Sequence, residues 1–482
     1  MDWIEAANSA INSFVWGPVM LIFIVGVGVY YSFRLGFFQI AKFGTWNKNT
    51  LGLINFRKKT EPGKVSPFQA FSTAMAATAG VGNLVGVSTS IILGGPGAIF
   101  WMFVSGVFGM ITKFAEITLA VRFRTRDKAG DVVGGPMYYI SRGLGKNWKW
   151  LAVLFSIFGA ICAFGIGNMT QINAVIGTSS QMFIDLGWMT VAQTEGFATY
   201  KLIYGIILAV LVGLVILGGL KRIGATAELL VPFAGIFCII GSLVAIVMNA
   251  DQFGAAVVSI FQGAFSENAL VGGVVGYAVM NAIRFGIARG VFTNEAGLGS
   301  APIAHAAADV EHPVQQGMWG CFEVFADTLI MCTLSALVIL TSGVYTSDPL
   351  KWMESGDGAA LISQSFSASF GTFGSIFIAI CTLIFAYCTT LSWSLYGVRC
   401  FQYLTKGRGI FGYRLFFCLI VVVAAVMQLT LAWDIADTLN GLMAIPNLVA
   451  LIGLSGLVVK IYQDWRKGTN EYSTEVTDAE TQ

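Results

Sequence analysis

The stretch Ala76-Ala77-Thr78-Ala79-Gly80-Val81-Gly82-Asn83-Leu84-Val85-Gly86 lies in the middle of a segment long and apolar enough to cross a membrane. Glycine in a helix interior costs about 1 kcal/mol relative to alanine, and three glycines stand close together here. A helix broken at membrane depth frees backbone N–H and C=O groups that protein or a water-filled cavity must satisfy. The freed N–H groups suit a carboxylate, and the freed carbonyls suit a cation. On this segment alone, close helix packing through small residues is an equal alternative.

The composition around this segment is that of a polytopic membrane protein. The chain has 482 residues, of which 56% are hydrophobic and 11% are charged, whereas soluble domains carry about 25% charged residues. Its 28 basic and 26 acidic residues nearly balance, which gives no reason to expect nucleic acid as a partner. A soluble enzyme is excluded. No HExxH, GxSxG or Walker A sequence occurs, so we do not expect a membrane-embedded enzyme either.

Hydropathy predicts an all-α fold with eleven membrane-spanning helices. The predicted spans are residues 17–40, 68–93, 97–121, 150–186, 202–219, 224–249, 269–290, 315–342, 370–398, 411–432 and 438–461. The fourth is longer than a simple span and is expected to bend or to extend into an outer loop. Residues 1–15 are predicted to lie on the membrane surface as an amphipathic segment, anchored by Trp3 and Ile4.

The distribution of basic residues predicts the orientation. With the N-terminus outside, 26 of the 28 Lys and Arg residues fall on the inner side or near it, and only Lys201 and Lys351 fall outside. This assignment places Arg284 and Arg289 at the inner end of span seven. The acidic, polar stretch 468–482 is predicted to be a disordered cytoplasmic tail.

A second interrupted region begins in span seven. It contains Gly272-Gly273, Gly276, Asn281 and Gly286, and continues to Asn294-Glu295-Ala296-Gly297-Leu298-Gly299. Because it starts five spans after the first break, spans two to six and seven to eleven would enter the membrane in opposite senses. This arrangement is typical of a secondary transporter with inverted repeats and discontinuous helices in spans two and seven.

The repeat predicts the division of the chain. Residues 1–15 are the interfacial segment, and 16–67 hold the first span and a cytoplasmic loop. Residues 68–250 are the first repeat, 251–462 the second, and 463–482 the tail.

Polar side chains inside spans four and nine are candidates for a binding site. Asn168 and Gln171 share one face of span four, and Thr389 and Trp393 share one face of span nine. Singly, each pair is better explained by hydrogen bonding or packing between helices. Together with two broken helices, they favour a site that binds a small molecule.

The ionisable residues inside spans bear on the coupling ion. Lys113 and Glu116 are predicted to pair locally on span three, and Glu323 and Asp327 could meet Arg284 or Arg289. None of these residues lies in the span-two break. Carbonyls and hydroxyls alone can hold Na⁺, whereas proton coupling needs a titratable group, so Na⁺ is favoured over H⁺. A proton-coupled or uncoupled transporter stays the alternative. A channel is disfavoured, because inverted repeats do not supply symmetry around a pore.

Five strings of residues resemble the alanine or glycine:cation (sodium) symporter family. They are Gly80–Asn83, Gly94–Met102, Gly134–Ile140, Gly165–Met169 and Asn294–Pro302. The resemblance runs from about the first span to the last. It implies a multi-pass protein of the inner (plasma) membrane that imports alanine, glycine or both with Na⁺. It also implies the five-plus-five core of the amino acid–polyamine–organocation superfamily.

The resemblance also implies a set of site residues at the span-two break. The substrate carboxylate would meet the backbone of Gly80 and Gly82 and the side chain of Gln171. Thr389 would help to hold the ammonium group, and Trp393 would close the apolar side. Asn281 is the candidate from span seven.

The resemblance places one Na⁺ between carbonyls near Ala76 and Ala79 and the hydroxyl of Thr389. Thr78 and Asn83 are candidates for a second ion. Ala77 leaves the break without an acidic side chain for the substrate ammonium.

Overall fold

Helices account for almost all of the regular structure in the computed structural model. It describes residues 2–54, 60–194, 199–265, 275–427, 430–469, 471–472 and 477–478. The helices in the first half are α1 (Asp2–Val15), α2 (Pro18–Arg34), α3 (Phe38–Ala41), α4 (Phe43–Asn49), α5 (Pro67–Thr78), α6 (Val85–Gly94), α7 (Gly97–Arg122), α8 (Pro136–Tyr139), α9 (Lys149–Phe164), α10 (Thr170–Asp185), α11 (Val191–Thr194), α12 (Thr199–Ile216) and α13 (Gly219–Met248). Those in the second half are α14 (Phe253–Phe265), α15 (Val275–Asn294), α16 (Pro302–His305), α17 (Pro313–Val324), α18 (Thr333–Thr341), α19 (Val344–Ser347), α20 (Pro349–Ser355), α21 (Gly358–Phe370), α22 (Thr372–Thr405), α23 (Ile410–Val426), α24 (Thr430–Gly453) and α25 (Ser455–Lys467).

The other regular segments are short. The 3₁₀ turns are Leu51–Leu53, Val81–Asn83, Lys146–Trp148 and Ala250–Gln252, and the π-helical segments are Ile140–Leu144, Gly165–Met169 and Phe325–Cys332. The strands are β1 (Thr125–Arg126), β2 (Val132–Val133) and β3 (Thr477–Asp478). They form one sheet in the order β2-β1-β3, in which β1 pairs antiparallel with β2 and parallel with β3.

The prediction of an all-α membrane protein is confirmed. Within the described residues, 8 helices are long and apolar enough to cross a membrane. The predicted spans two, seven and ten are not among them. Span two is divided between α5 and α6, part of span seven lies outside the described residues, and α23 has only 17 residues. The count of eleven therefore stays a prediction.

The surface of α13 shows why these helices need an apolar surrounding. Leu229, Phe233, Ile236 and Ile240 recur at helical spacing and are exposed by 56% or more of their side-chain area. Val247 continues the stripe and is 72% exposed. An apolar stripe of this length on a single helix is unfavourable in water and matches a lipid-facing surface.

The sequence around Ser66 explains where span two begins. Ser66 Oγ accepts a hydrogen bond from the backbone N–H of Gln69 at 3.0 Å, and Gln69 Oε1 accepts one from Ser66 N at 3.4 Å. Pro67 occupies the first turn, where a missing N–H is tolerated. This capping box fixes the start of α5 and thereby the depth of the break that follows it.

Within residues 1–15, predicted to lie on the membrane surface, Asp2–Val15 form the helix α1. Trp3 is 76% exposed, as an interfacial anchor would be. The end of α1 contacts α24, because Asn12 Nδ2 donates to Asp437 Oδ2 at 3.0 Å. Trp16 Nε1 donates to the carbonyl of Asp437 at 3.3 Å.

The prediction that Arg284 and Arg289 lie on the side opposite the N-terminus is wrong. Both line a small cavity together with Asn12, Trp16 and Asp437, so they lie on the side of the N-terminal helix. The chain leaves α15 at Asn294 and continues through an irregular segment to α16. The helix discontinuity therefore lies C-terminal to the predicted span 269–290. Gly272 and Gly273 lie outside the described residues.

The predicted disorder of the tail is wrong for the part that is described. The carboxylate of Asp464 accepts hydrogen bonds from the backbone N–H groups of Glu471 and Tyr472, each at 3.1 Å, and from the hydroxyl of Thr469. Further along, β3 pairs with β1. A single buried acceptor thus orders a stretch whose composition alone favours disorder.

Candidate functional site

The predicted break in span two is present. α5 ends at Thr78, and the next N–H, that of Ala79, still donates to Met75 O at 2.7 Å. The N–H of Gly80 instead donates to Thr78 O at 2.8 Å and to Asn83 Oδ1 at 2.9 Å. The regular helical hydrogen bonding therefore stops at Gly80. The carbonyl of Ala76, four residues earlier, is left without its regular helical partner.

Thr389 of α22 supplies a partner for that carbonyl. Its hydroxyl is buried and donates to Ala76 O at 2.8 Å. The structure thus brings together two residues that the predicted ion site required. Thr78 stays within its own turn, because its hydroxyl donates to the carbonyls of Ala74 and Met75. Ala79 forms the buried C-cap of α5.

Gln171 of α10 meets the other half of the break. Its Oε1 accepts from the backbone N–H of Val81 at 3.4 Å, and its Nε2 donates to the carbonyl of Ile166 at 3.1 Å. Ile166 belongs to the π-helical segment in span four, where the regular ladder is also disturbed. In this conformation the break therefore binds an oxygen acceptor, which is the role that a substrate carboxylate would take.

The two glycines of the break lie against other helices. A Cβ atom on Gly80 would come within 2.6 Å of Thr389 Oγ1 and 3.4 Å of Gln171 Oε1. One on Gly82 would come within 2.8 Å of Thr293 Oγ1. Only glycine permits this approach of the backbone to polar side chains from three different helices.

Trp393 packs against span four. Trp393 is 1% exposed, and a Cβ atom added to Gly167 would lie 2.0 Å from the Cβ atom of Trp393. Its ring also contacts Tyr396 edge-on, with the centroids 5.5 Å apart. Trp393 therefore joins α22 to the π-helical segment that precedes Gln171.

Asn281 is not brought to the break. Its backbone carbonyl lies beside Gly94, at the far end of α6 from Gly82. The residue that α15 does bring to the break is Thr293. Its hydroxyl is buried beside Gly82, has no hydrogen-bonded oxygen or nitrogen among the described residues, and interacts with the thiol of Cys332.

Asp327 places a carboxylate at the break, which the sequence did not indicate. Its Oδ1 accepts from Asn83 Nδ2 at 2.7 Å, and its Oδ2 accepts from the hydroxyl of Thr328 at 2.8 Å. Thr328 Oγ1 in turn accepts from Asn294 Nδ2 at 3.1 Å. The expected contact of Asp327 with Arg284 or Arg289 is wrong, because Asp327 faces the inside of the helix bundle. One buried network therefore joins both broken helices.

The backbone of the second break is satisfied by Glu116 and Asn447. Glu116 Oε1 accepts from the N–H of Gly297 at 3.0 Å, and Asn447 Nδ2 donates to the carbonyl of Gly297 at 2.9 Å. Glu295 has φ 55°, and its carboxylate accepts from Ser300 Oγ at 2.6 Å. Irregular backbone at membrane depth is tolerated here because protein groups complete its hydrogen bonds.

The predicted local pair between Lys113 and Glu116 is wrong. Lys113 Nζ lies 3.2 Å from Glu323 Oε1 on α17, and both side chains are buried. Glu323 Oε2 also lies 2.9 Å from His305 Nε2, and His305 Nδ1 lies 2.7 Å from Gln316 Nε2. This buried chain of polar groups ties α7 to the segment that follows the second break.

A cavity of about 430 Å³ leads to the first break. Val81, Gly82 and Gly86 form one wall, and Thr170 and Asn173 of α10 form another. Arg289 and Asp357 stand in its lining and offer one charge of each sign. The cavity reaches Gly82, whereas Gly80, Gln171, Thr389 and Trp393 are buried behind this wall.

The residues that sequence reasoning missed are Asp327 as a group at the break, Thr293, Glu116 as a partner of the second break, and Asn447. The signal in the sequence that could have identified them is a polar residue within an otherwise apolar membrane span. Asn447, for example, follows Pro446 inside the predicted span eleven. Local spacing could not show which partner each would meet.

Comparison with known proteins matches this architecture. Residues 1–479 match the model of the sodium:alanine symporter family. The sodium/alanine symporter AgcS of Methanococcus maripaludis is 43% identical over 472 residues, which cover 97% of this chain and 99% of that protein. The probable sodium/glutamine symporter GlnT of Bacillus subtilis is 35% identical over 458 residues, covering 95% of this chain and 89% of that one.

Among solved structures, the crystal structure of MhsT in complex with L-phenylalanine has a similar fold. The TM-score is 0.56 at 15% identity, and the alignment covers 87% of this chain and 94% of MhsT. At this identity the likeness concerns the fold alone. The family model and the relatives describe transporters and not enzymes. By the match over nearly its whole length, this chain belongs to the sodium:alanine symporter family.

Proposed function

We propose that this protein imports small neutral amino acids, alanine, glycine or both, with Na⁺ by alternating access. The observation that carries the proposal is the break between α5 and α6, which presents a carbonyl to Thr389 and an N–H to an oxygen acceptor. The carbonyl complements a cation, and the N–H group complements a carboxylate. Family membership supports amino-acid transport, and uptake into proteoliposomes tests the proposal.

The Na⁺ site is proposed between the carbonyls of Ala76 and Ala79 and the hydroxyl of Thr389. The hydrogen bond from Thr389 to Ala76 supports it, because two oxygens that meet at 2.8 Å can turn together toward one cation. Thr78 and Asn83 stay candidates for a second ion. The amide oxygen of Asn83 is held by Gly80 N–H in this conformation, so it would have to be released first.

The substrate carboxylate is proposed to bind the backbone of Gly80 and Gly82 together with Gln171. Val81 N–H is bonded to Gln171 Oε1, so a substrate would displace this oxygen and receive a hydrogen bond from the amide Nε2. Thr389 would help to hold the ammonium group, and Trp393 would limit the pocket. From span seven we propose Thr293 in place of Asn281, because its hydroxyl lies at the break.

The size of the substrate follows from the walls of the site. Gly80 and Gly82 leave no room for added atoms beside Thr389 and Thr293, and Trp393 fills the space against Gly167. A longer side chain would have to displace packed groups. Although GlnT is named for glutamine, these contacts favour alanine and glycine in this chain.

The topology proposed with this function has eleven spans, the N-terminus outside and the C-terminus in the cytoplasm. Span one precedes two inverted repeats, residues 68–250 and 251–462. After Arg284 and Arg289 are moved to the outer side, the remaining basic residues still lie mostly on the inner side. Labelling of a cysteine at position 482 by an impermeant reagent outside intact cells would contradict this orientation.

A second candidate is proton coupling, and Asp327 is the observation that favours it. A buried carboxylate bonded to Asn83 of the break could carry a proton. In our proposal it acts as a hydrogen-bond acceptor, and the amide of Asp327→Asn can still accept from Asn83. We therefore expect Asp327→Asn to keep Na⁺-dependent uptake, with a rate lowered less than about tenfold.

The measurement is alanine uptake by Asp327→Asn and Asp327→Ala over a range of external pH with a fixed Na⁺ gradient. Asp327→Ala removes the side-chain acceptor of both Asn83 Nδ2 and the Thr328 hydroxyl and leaves Asn83 with the backbone carbonyl of residue 327, so it should lose more activity than Asp327→Asn. Proton coupling predicts instead that both variants lose uptake alike. It also predicts that any residual transport no longer responds to pH.

A further inference from the structure

A second cavity, of about 720 Å³, lies away from the span-two break and carries a strong positive charge. Its lining includes seven basic and two acidic side chains. The basic ones are Arg126, Lys128, Arg142, Arg399, Lys406, Arg408 and Arg414. None of the residues of the transport site lines this cavity.

The two acidic side chains are already engaged by one arginine. Arg399 pairs with Asp127 at 3.0 Å and with Asp131 at 3.4 Å. Across the described ranges, no carboxylate oxygen lies within 4.0 Å of the side-chain nitrogens of Lys406, Arg408 or Arg414. A concave surface with this excess of positive charge attracts an anion.

The cavity lies where long apolar helices end. Gly219 and Leu220 at the start of α13, the last turns of α22 and the first turn of α23 all line it. Next to its rim, Leu217 is 52% exposed and Phe411 is 69% exposed. Helix ends beside exposed apolar side chains are typical of the boundary between lipid and water.

An apolar surface continues from the rim along α12 and α23. The two helices pack antiparallel, since Gly205 lies against Ala425 and Gly213 against Cys418. Leu214 and Leu415 are exposed by 60% and 51% on these helices near the cavity. A ligand with its anion in the cavity would therefore have an apolar surface for an attached chain.

We propose that this cavity binds the phosphate of an anionic phospholipid, with an acyl chain along α12 and α23. Arginine and lysine donors suit a phosphodiester, and basic pockets between helices at the cytoplasmic surface are typical lipid head-group sites. The predicted orientation places the cavity on that surface. The adjoining apolar strip favours a lipid over free phosphate. The bound lipid would brace α22, the helix that carries Thr389.

The test uses the purified full-length protein in detergent and titrates dioleoyl phosphatidylglycerol against dioleoyl phosphatidylcholine. Bound lipid is counted by native mass spectrometry, and stability is followed by thermal unfolding. The variant Lys406→Gln/Arg408→Gln/Arg414→Gln removes three cavity cations. The control Lys42→Gln/Lys146→Gln/Lys149→Gln removes the same charge from exposed lysines outside the cavity. The single variant Arg408→Glu, at an exposed position, serves if the triple variant unfolds.

We expect phosphatidylglycerol to bind and to raise the unfolding temperature of the wild type and of the control, and phosphatidylcholine to do neither. The cavity variants should bind phosphatidylglycerol at least about tenfold more weakly. Equal binding by the cavity and control variants would overturn the proposal. The proposal would also be overturned if glycerol 3-phosphate stabilised the wild type as much as phosphatidylglycerol does, because the acyl chains would then contribute nothing.

Discussion

Replacing Gly80 with alanine is expected to lower Na⁺-driven alanine uptake about tenfold to a hundredfold, while the protein still folds. The added methyl group would lie 2.6 Å from Thr389 Oγ1 and 3.4 Å from Gln171 Oε1. Overpacking of this kind costs about 1–3 kcal/mol, and about 1.4 kcal/mol corresponds to a factor of ten. In our account this cost falls on the conformation that binds ion and substrate. Initial uptake rates in proteoliposomes measure it.

Gly86→Ala is the matched control for this prediction. Gly86 lies in the following helix and lines the cavity, but a Cβ there would meet nothing within 4 Å. Alanine in a helix is also favoured over glycine by about 1 kcal/mol. Uptake by Gly86→Ala should therefore stay near that of the wild type. If both variants lost uptake equally, the break at Gly80 would have no special role.

Replacing Thr389 with valine is expected to weaken the apparent affinity for Na⁺ about tenfold or more. Valine keeps the shape of the side chain and removes the hydroxyl, which donates to Ala76 O at 2.8 Å. The substitution removes one proposed Na⁺ ligand, and the interaction of a hydroxyl with a charged group is worth about 1.5–3 kcal/mol, which is a factor of about ten or more in affinity. The measurement is the Na⁺ concentration that gives half-maximal uptake.

The neighbouring residue provides the control for the threonine. Thr390 is equally buried on the same helix, but its hydroxyl donates within the helix to Ala386 O at 2.8 Å. Thr390→Val should leave the Na⁺ dependence unchanged. An unchanged Na⁺ dependence in Thr389→Val would instead place the ion elsewhere.

The local features of the fold were predictable from the sequence, because their causes are local. Glycines at 80 and 82 break span two where predicted, and apolar length alone identifies most long helices. Span four, whose length predicts either a bend or an extension into an outer loop, is interrupted by a π-helical segment at Gly165–Met169. Each of these features depends on a few neighbouring residues.

The errors arose where pairing between distant residues decides the outcome. Lys113 pairs with Glu323 and not with its neighbour Glu116, because α7 packs against α17. Asp327 reaches the break from span eight, 244 residues from Asn83. No local spacing reports such contacts.

The misplacement of Arg284 and Arg289 has a different physical cause. Hydropathy ended span seven before the irregular stretch 295–301, whereas the chain continues through it to α16. The unwound stretch contains polar residues, and it can lie within the membrane because Glu116 and Asn447 complete the hydrogen bonds of its backbone. A hydropathy profile registers such polar residues as the end of a span.

In the function proposed here, Na⁺ and not H⁺ drives the import of small neutral amino acids. The most direct test is uptake of labelled alanine into proteoliposomes under an inward Na⁺ gradient, with and without a protonophore and with unlabelled competitors. We expect uptake that follows the Na⁺ gradient, survives the protonophore, and is inhibited by glycine far more than by leucine or phenylalanine. Undiminished uptake in Na⁺-free buffer that the protonophore abolishes would contradict it.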